Sequence, residues 1–132
     1  MIAVDTSALM AILLNEPFGD DCEMALNTEG RVLISAGTLT EALIVASGRN
    51  LRDEMQELID KAGIEIVPVT NASARRAADA HARWGRGAKT ARLNFGDCFA
   101  YDLAKANDCP LLYVGRDFAK TDVKSALKKR GR

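Results

Sequence analysis

Short apolar segments alternate with longer helical patterns along this chain of 132 residues. Four of the segments are typical of buried strands and cover residues 2–4, 31–35, 64–69 and 110–115. Because helices separate them, successive strands must be joined by crossover connections, which is the way parallel strands are linked. The alternation therefore predicts an α/β fold with a mainly parallel central sheet flanked by helices. Pro68 in the third segment places that strand near an edge of the sheet.

The length of the chain suits one hydrophobic core, and no linker or repeat divides it, so we expect a single domain over residues 1–132. The longest apolar run, "ALMAILL", is far shorter than a membrane span. No charged segment precedes it as in a signal peptide. The cysteines Cys22, Cys98 and Cys109 have no CxxC spacing, which disfavours a disulfide framework or a zinc-thiolate site. These features predict a soluble protein of the reducing cytoplasm.

Acidic residues occur where the predicted strands end, which is where parallel sheets bind their ligands. Asp5 ends the first strand, Asp117 follows the last one, and Asp97 begins the helix before it. Glu41 lies in the strongly apolar helix after the second strand. Each acid also has a simpler interpretation. Asp5 and Asp97 could be helix N-caps, Asp117 could cap a turn, and Glu41 could complete a capping box with Thr38.

Several carboxylates at one edge of a sheet would repel one another and raise each other's pKa. A divalent cation relieves this repulsion. Oxygen ligands without histidine or cysteine favour Mg²⁺ or Mn²⁺ over Zn²⁺. Such ions bind phosphate oxygens and lower the pKa of water. The acidic residues therefore predict a metal site for phosphate chemistry.

Four segments carry a family resemblance in their order and spacing. They read "MIAVDTSALMAILLNEP", "ISAGTLTEALIV", "LNFGDCFAYDLAK" and "PLLYVGRDFAKTDV". Together they resemble the PIN-domain family, and within it the VapC-type toxin ribonucleases of toxin–antitoxin pairs. The resemblance covers nearly the whole chain and implies a PIN-like three-layer sandwich. Two positions depart from the family pattern, because Asp102 replaces a small residue and Arg116 replaces a common asparagine.

The resemblance implies a metal-dependent endoribonuclease with a catalytic acidic pocket formed by Asp5, Glu41, Asp97 and Asp117. Asp5 and Asp97 would be the direct ligands of Mg²⁺ or Mn²⁺. Thr6 and Ser7 would supply supporting hydroxyls, although both could simply cap the first helix. The family further implies a structured RNA substrate, often tRNA, together with a homodimer and a cognate antitoxin protein.

The formal charge is divided between the two halves of the chain. Residues 1–70 carry a balance of −8 and residues 71–132 a balance of +8. This asymmetry indicates an anionic partner for the basic half, unless the two halves mix on one surface. The candidate RNA-binding cations are Arg83, Arg86, Lys89, Arg92 and Arg116. By contrast, the spacing of Asp102 and Lys105 predicts a solvated surface pair.

Other functions compete with the nuclease hypothesis. A PIN fold could serve only as a binding or scaffold module without catalysis. A response-regulator receiver also has strand-end aspartates and Mg²⁺, but "LLYVGRD" offers arginine where a lysine is needed. A haloacid-dehalogenase-type phosphatase requires a second aspartate that "DTS" lacks. The four acids favour the nuclease.

Overall fold

The computed structural model describes residues 1–85, 87 and 91–127. Within these residues the chain forms four strands and six helices in alternating groups. They are β1 (Ile2–Val4), α1 (Thr6–Leu13), α2 (Gly19–Thr28), β2 (Val32–Ser35), α3 (Ala36–Ser47), α4 (Arg52–Lys61), β3 (Glu65–Val67), α5 (Asn71–Trp84), α6 (Phe95–Ala106) and β4 (Leu111–Leu112).

The four strands form one parallel sheet with the order β3-β2-β1-β4. Ile2 of β1 pairs with Val32 of β2, and Ala3 pairs with Leu111 of β4 on the other side. The predicted parallel α/β fold is therefore confirmed. The third strand lies at an edge of the sheet, as Pro68 indicated.

Helices cover both faces of the sheet, which makes a three-layer sandwich. Side chains of successive strand residues point to opposite faces. Val4, Ile34 and Leu112 belong to the core formed with α1–α4. Their neighbours Ala3, Leu33 and Leu111 belong to a second core, formed with α5 and α6. The predicted layers are thus confirmed, and the carboxyl ends of β1, β2 and β4 share one edge.

Several element boundaries differ from the sequence predictions. Thr70 caps α5, because its hydroxyl accepts a hydrogen bond from the Ser73 N–H. Ser35 caps α3, so the proposed capping box of Thr38 with Glu41 is wrong. The last strand is only two residues long. No helix follows it in the described residues up to 127.

Most of the aliphatic surface of α1 serves the core, where Leu9, Met10 and Ala11 are buried. On α3, by contrast, Ile44 and Val45 are exposed. No helix in the described part of the chain combines the length and the apolar character needed to cross a membrane.

Candidate active site

Asp5 lies immediately after β1, at the edge where the parallel strands end. Its backbone N–H donates to the Leu112 carbonyl at 3.0 Å and so joins β1 to β4. Its Oδ2 accepts hydrogen bonds from the Ser7 N–H at 3.0 Å and the Ser7 hydroxyl at 2.7 Å. Its Oδ1 is buried and has no hydrogen-bond partner in the described structure. Asp5 therefore caps α1 with one oxygen and keeps the other available for a ligand.

The two hydroxyl residues after Asp5 both contact acids of the site. The Ser7 hydroxyl donates to Asp5 and also accepts the Val114 N–H at 3.1 Å. Thr6 donates to Glu41 Oε1 at 2.7 Å, and its oxygen lies 3.4 Å from the Thr38 carbonyl. Thr6 and Ser7 thus connect the start of α1 to α3 and to the segment after β4.

Glu41 reaches the start of α6 from the second turn of α3. Its carboxylate lies so close to Gly96 that a Cβ added there would overlap Oε2 and would stand 2.7 Å from Cδ. Only glycine therefore leaves room for the carboxylate in this position. One carboxylate oxygen faces Thr6, and the other faces α6.

Asp97 is buried in the first turn of α6, but it is not the N-cap that the sequence suggested. Asn94 is the cap, and its side-chain oxygen accepts the Asp97 N–H at 2.9 Å. In return, Asp97 Oδ2 accepts the Asn94 N–H at 3.0 Å. This capping box fixes one oxygen of Asp97 and leaves Oδ1 available. Sequence reasoning overlooked Asn94, although the spacing from Asn94 to Asp97 is that of a capping box.

The pKa values of the two buried aspartates show that the four acids act on one another. Burial raises the pKa of Asp97 to about 7. The hydrogen bond from the Asn94 N–H opposes this rise, and repulsion from Asp5, Glu41 and Asp117 adds to it. Burial also raises the pKa of Asp5 to about 6, with Ser7 opposing and Glu41 contributing. Exposed Asp117 is therefore part of the same electrostatic neighbourhood. Within residues 1–85, 87 and 91–127, no salt bridge neutralises any of the four acids.

The chemical type of the donor atoms, carboxylate oxygens, fits a hard divalent cation. The free Oδ1 of Asp5 is a buried oxygen without a partner, and carboxylates that repel one another gain from a bound cation. Carboxylate oxygens are the ligands that Mg²⁺ and Mn²⁺ prefer. As the side chains are placed in the described residues, however, no three acidic, histidine or cysteine groups already surround a common metal position.

The predicted RNA-binding cations have different surroundings. Arg92 and Arg116 are exposed and form no ion pair in the described structure. Arg83 lies 3.9 Å from Asp122 and stacks on the Trp84 ring at 4.7 Å. Arg86 and Lys89 lie outside the described residues.

The interpretation of Asp102 as a surface charge is wrong. Asp102 is buried and accepts hydrogen bonds from Arg76 of α5, with Nε at 2.7 Å and a terminal nitrogen at 3.4 Å. Lys105, its predicted partner, instead approaches Asp122 at 3.3 Å. Asp102 therefore joins α6 to α5 and has no role as a solvated control position.

Asp122 is the centre of a second group that the sequence did not predict. Tyr101 donates its hydroxyl hydrogen to Asp122 at 2.5 Å and accepts the Trp84 Nε1–H at 3.0 Å. Lys105 and Arg83 add positive charge. We call this group, together with the Arg76–Asp102 pair, the α5–α6 seam. No local sequence pattern signals it, because its members come from three separate segments.

A parallel three-layer sandwich is the fold that the family resemblance implied, and the charges of Asp5, Glu41 and Asp117 all act on Asp97 near one edge of its sheet. The chain belongs to the PIN domain family, whose model matches residues 2–124. Among its curated relatives, Ribonuclease VapC28 of Mycobacterium tuberculosis is 41% identical over 131 residues, covering 96% of this chain and 98% of the relative. Ribonuclease VapC30 of the same species is 36% identical over 125 residues, covering 92% and 95%.

Solved structures share the same fold. The M. tuberculosis toxin VapC20, described as cleaving the sarcin-ricin loop, matches with a TM-score of 0.76 at 15% identity, covering 97% of this chain and all of that one. A toxin–antitoxin complex from Klebsiella pneumoniae matches with a TM-score of 0.69 at 16% identity, covering 92% and 93%.

Proposed function

We propose that this protein is a metal-dependent endoribonuclease, the toxin component of a type II toxin–antitoxin pair. One observation carries the proposal. Asp5 keeps a buried carboxylate oxygen without a hydrogen-bond partner beside three further acids, and no cation of the described residues pairs with them. A fold does not retain such repulsion for stability, because burying unpaired charge is costly. The relatives named as ribonucleases support RNA as the substrate.

In this proposal each acid has its own task. Asp5 and Asp97 would hold Mg²⁺ or Mn²⁺, since a backbone N–H fixes one oxygen of each and the other oxygen has no hydrogen-bond partner in the described structure. Ser7 and Thr6 keep Asp5 and Glu41 oriented. Glu41 and Asp117 accept hydrogen bonds from the attacking water and add negative charge around the site. The bound ion supplies Lewis-acid chemistry, lowering the pKa of that water and stabilising phosphate oxygens.

RNA reaches the acids only if cations offset their charge. Exposed Arg92 and Arg116 flank Asp97 and Asp117 in sequence, which supports phosphate contacts at these positions. We extend this role to Arg83, Arg86 and Lys89, although Arg83 is already engaged with Asp122 and Trp84. A structured RNA such as tRNA remains our proposed substrate class.

A cognate antitoxin is the proposed protein partner, since the K. pneumoniae complex joins a toxin of this fold to its antitoxin. We also propose a homodimer, for which the exposed Ile44 and Val45 of α3 supply apolar surface. Sedimentation of the purified protein tests the dimer. The free thiols Cys22, Cys98 and Cys109 suit the proposed cytoplasmic location.

The test combines purified protein, freed of antitoxin, with total RNA and Mn²⁺ or Mg²⁺. Wild-type protein should cleave RNA, EDTA should stop it, and Asp5→Asn should not cleave. The matched control is Asp108→Asn, because Asp108 is an exposed turn residue with φ of 49°, ahead of β4, and asparagine tolerates this conformation. Equal cleavage by Asp5→Asn, or none by wild type, would favour a scaffold function instead.

A further inference from the structure

Phe95, the first residue of α6, is exposed to solvent although it is a large apolar residue. It is 78% exposed, the highest value for a large apolar side chain in the described residues. Its neighbours have structural tasks: Leu93 is fully buried, Asn94 caps α6, and Gly96 makes room for Glu41. Phe95 itself contributes nothing to the core, so packing does not explain an aromatic residue here.

The ring of Phe95 is nevertheless held in place. It meets the Phe99 ring edge-to-face, with centroids 5.1 Å apart and an interplanar angle of 84°. Phe99 in turn rests on Gly37 of α3, where an added Cβ would stand 2.7 Å from the Phe99 ring. Phe99 is thus a fixed support, and Phe95 presents a restrained aromatic surface to solvent.

Phe95 is the chain neighbour of a residue that contacts the four-acid site. It directly precedes Gly96, which lies against the Glu41 carboxylate at the start of α6. Consecutive Cα atoms are about 3.8 Å apart, so the backbone of Phe95 lies one residue from this contact with Glu41. Exposed Arg92 lies three residues earlier, in the segment before α6. An aromatic ring next to cations is how proteins bind single-stranded nucleic acid, because every base has a face that stacks.

We propose that Phe95 stacks on an unpaired nucleobase next to the phosphate that the acids engage. The inference rests on the proposed function for the nature of the ligand, an RNA, and adds a base-stacking subsite to it. Stacking is sequence-tolerant and needs no charge. It therefore holds the nucleotide beside a site whose acids repel the RNA backbone.

Two substitutions separate stacking from ordinary apolar contact. Phe95→Leu keeps the apolar character but removes the aromatic face, whereas Phe95→Trp keeps and enlarges it. Both are made in the Asp5→Asn protein, so that the RNA is not cleaved. Met24→Ala is the matched control, because Met24 is a similarly exposed apolar residue on α2, at 66%. The probes are unstructured twelve-nucleotide RNAs of mixed sequence carrying 2-aminopurine at successive positions.

We expect Phe95→Leu to weaken binding about 5- to 100-fold, as loss of one stacked base predicts. It should also abolish the quenching of 2-aminopurine at one position. Phe95→Trp and Met24→Ala should bind like the parent. An abasic nucleotide at the quenched position should weaken RNA binding by the parent protein, which retains Phe95. The same abasic RNA should bind the Phe95→Leu variant no more weakly than the intact RNA does.

Equal binding by Phe95→Leu and its parent would overturn the inference, as would no measurable binding by the parent. A third outcome would also overturn it. If Phe95→Leu changes self-association in sedimentation but leaves the RNA affinity unchanged, the ring contacts protein and not RNA. Binding is measured without cleavage, so the two proposals fail separately. Phe95-dependent binding without wild-type cleavage overturns only the nuclease proposal, and wild-type cleavage with unaltered Phe95→Leu binding overturns only the stacking.

Discussion

Asp97 and Asp102 lie five residues apart on α6 and are equally buried, at 7% exposure each. Asp102 is paired with Arg76 at 2.7 Å. Asp97 has no cation partner in the described residues, and burial together with three neighbouring acids raises its pKa to about 7. Burial alone therefore does not show whether the fold neutralises the charge of an acid. The two aspartates differ in whether the described residues supply an opposite charge.

The same contrast extends to the regions around these residues. In the α5–α6 seam, the Tyr101 hydroxyl and Lys105 lower the pKa of Asp122. At the four-acid site, burial and repulsion raise the pKa of Asp5 and Asp97. The seam thus stabilises the charged form of its acid, and the site destabilises the charged form of its acids.

The largest expected effect is the loss of catalysis in Asp97→Asn. Removing one ligand of a metal that stabilises transition-state charge should lower the rate of RNA cleavage by roughly 10²- to 10⁴-fold. The Asn94 cap can still form, because an asparagine oxygen accepts the same N–H, so the thermal midpoint should not fall. Cleavage rates and calorimetry measure both effects. A variant as active as wild type would remove Asp97 from the proposed metal site.

The pH dependence of stability should differ in sign between the two regions. The pKa of Asp97 is raised from 3.8 to about 7 in the folded protein, so the folded state binds a proton more tightly than the unfolded state. Its stabilising contribution is full below about pH 4 and is lost as pH rises through about 7. The pKa of Asp122 is lowered in the folded protein, so the contribution of Asp122 to the free energy of unfolding increases as pH rises.

Urea unfolding in EDTA measures this dependence. Relative to wild type, Asp97→Asn should become more stable by on the order of a few kcal/mol between pH 4 and pH 7.5, at about 1.4 kcal/mol per pKa unit. Mn²⁺ should remove the wild-type disadvantage at neutral pH. A constant difference across this range would mean that Asp97 is not destabilised by its charge.

Asp117→Asn should lower cleavage by roughly 10²-fold, the lower end of the range expected for a general-base or water-orienting group. Because Asp117 is exposed, the fold should not change, and the thermal midpoint should match wild type. Full activity would make Asp117 a turn residue and leave a site of three acids.

The smallest expected effect belongs to the seam and appears in stability alone. Asp102→Asn should lower the free energy of unfolding by about 1–3 kcal/mol, since it leaves Arg76 without its partner, although Arg76 is half exposed and can be hydrated. RNA cleavage should be unchanged. Glu65→Gln, which breaks the fully exposed Arg31–Glu65 pair, is the control and should alter stability little. If a folded Asp102→Asn protein no longer cleaved RNA, the seam would not be a region that affects stability alone.

The sequence predicts the parallel sheet and the edge where the acids meet, because both follow from short-range patterns. A short apolar segment followed by a helix requires a crossover, and the crossover brings Asp5 and Asp117 to one edge. The position of Asp97 within its helix was missed because Asn94, three residues earlier, is also a good cap. The environment of Asp102 could not be predicted, since its partner Arg76 lies 26 residues away on another helix. Spacing along α6 favoured Lys105, but tertiary packing decided otherwise.

A substitution at Gly96 would disturb the four-acid site without altering the charge of the protein. A methyl group at this position would overlap the Glu41 carboxylate and would have to displace either that side chain or the start of α6. Gly96→Ala is therefore expected to move the Glu41 carboxylate while all four acids and every cation are retained. Such a variant would let the proposed binding of RNA and of an antitoxin be separated from the proposed cleavage, without the changed charge of an aspartate-to-asparagine variant.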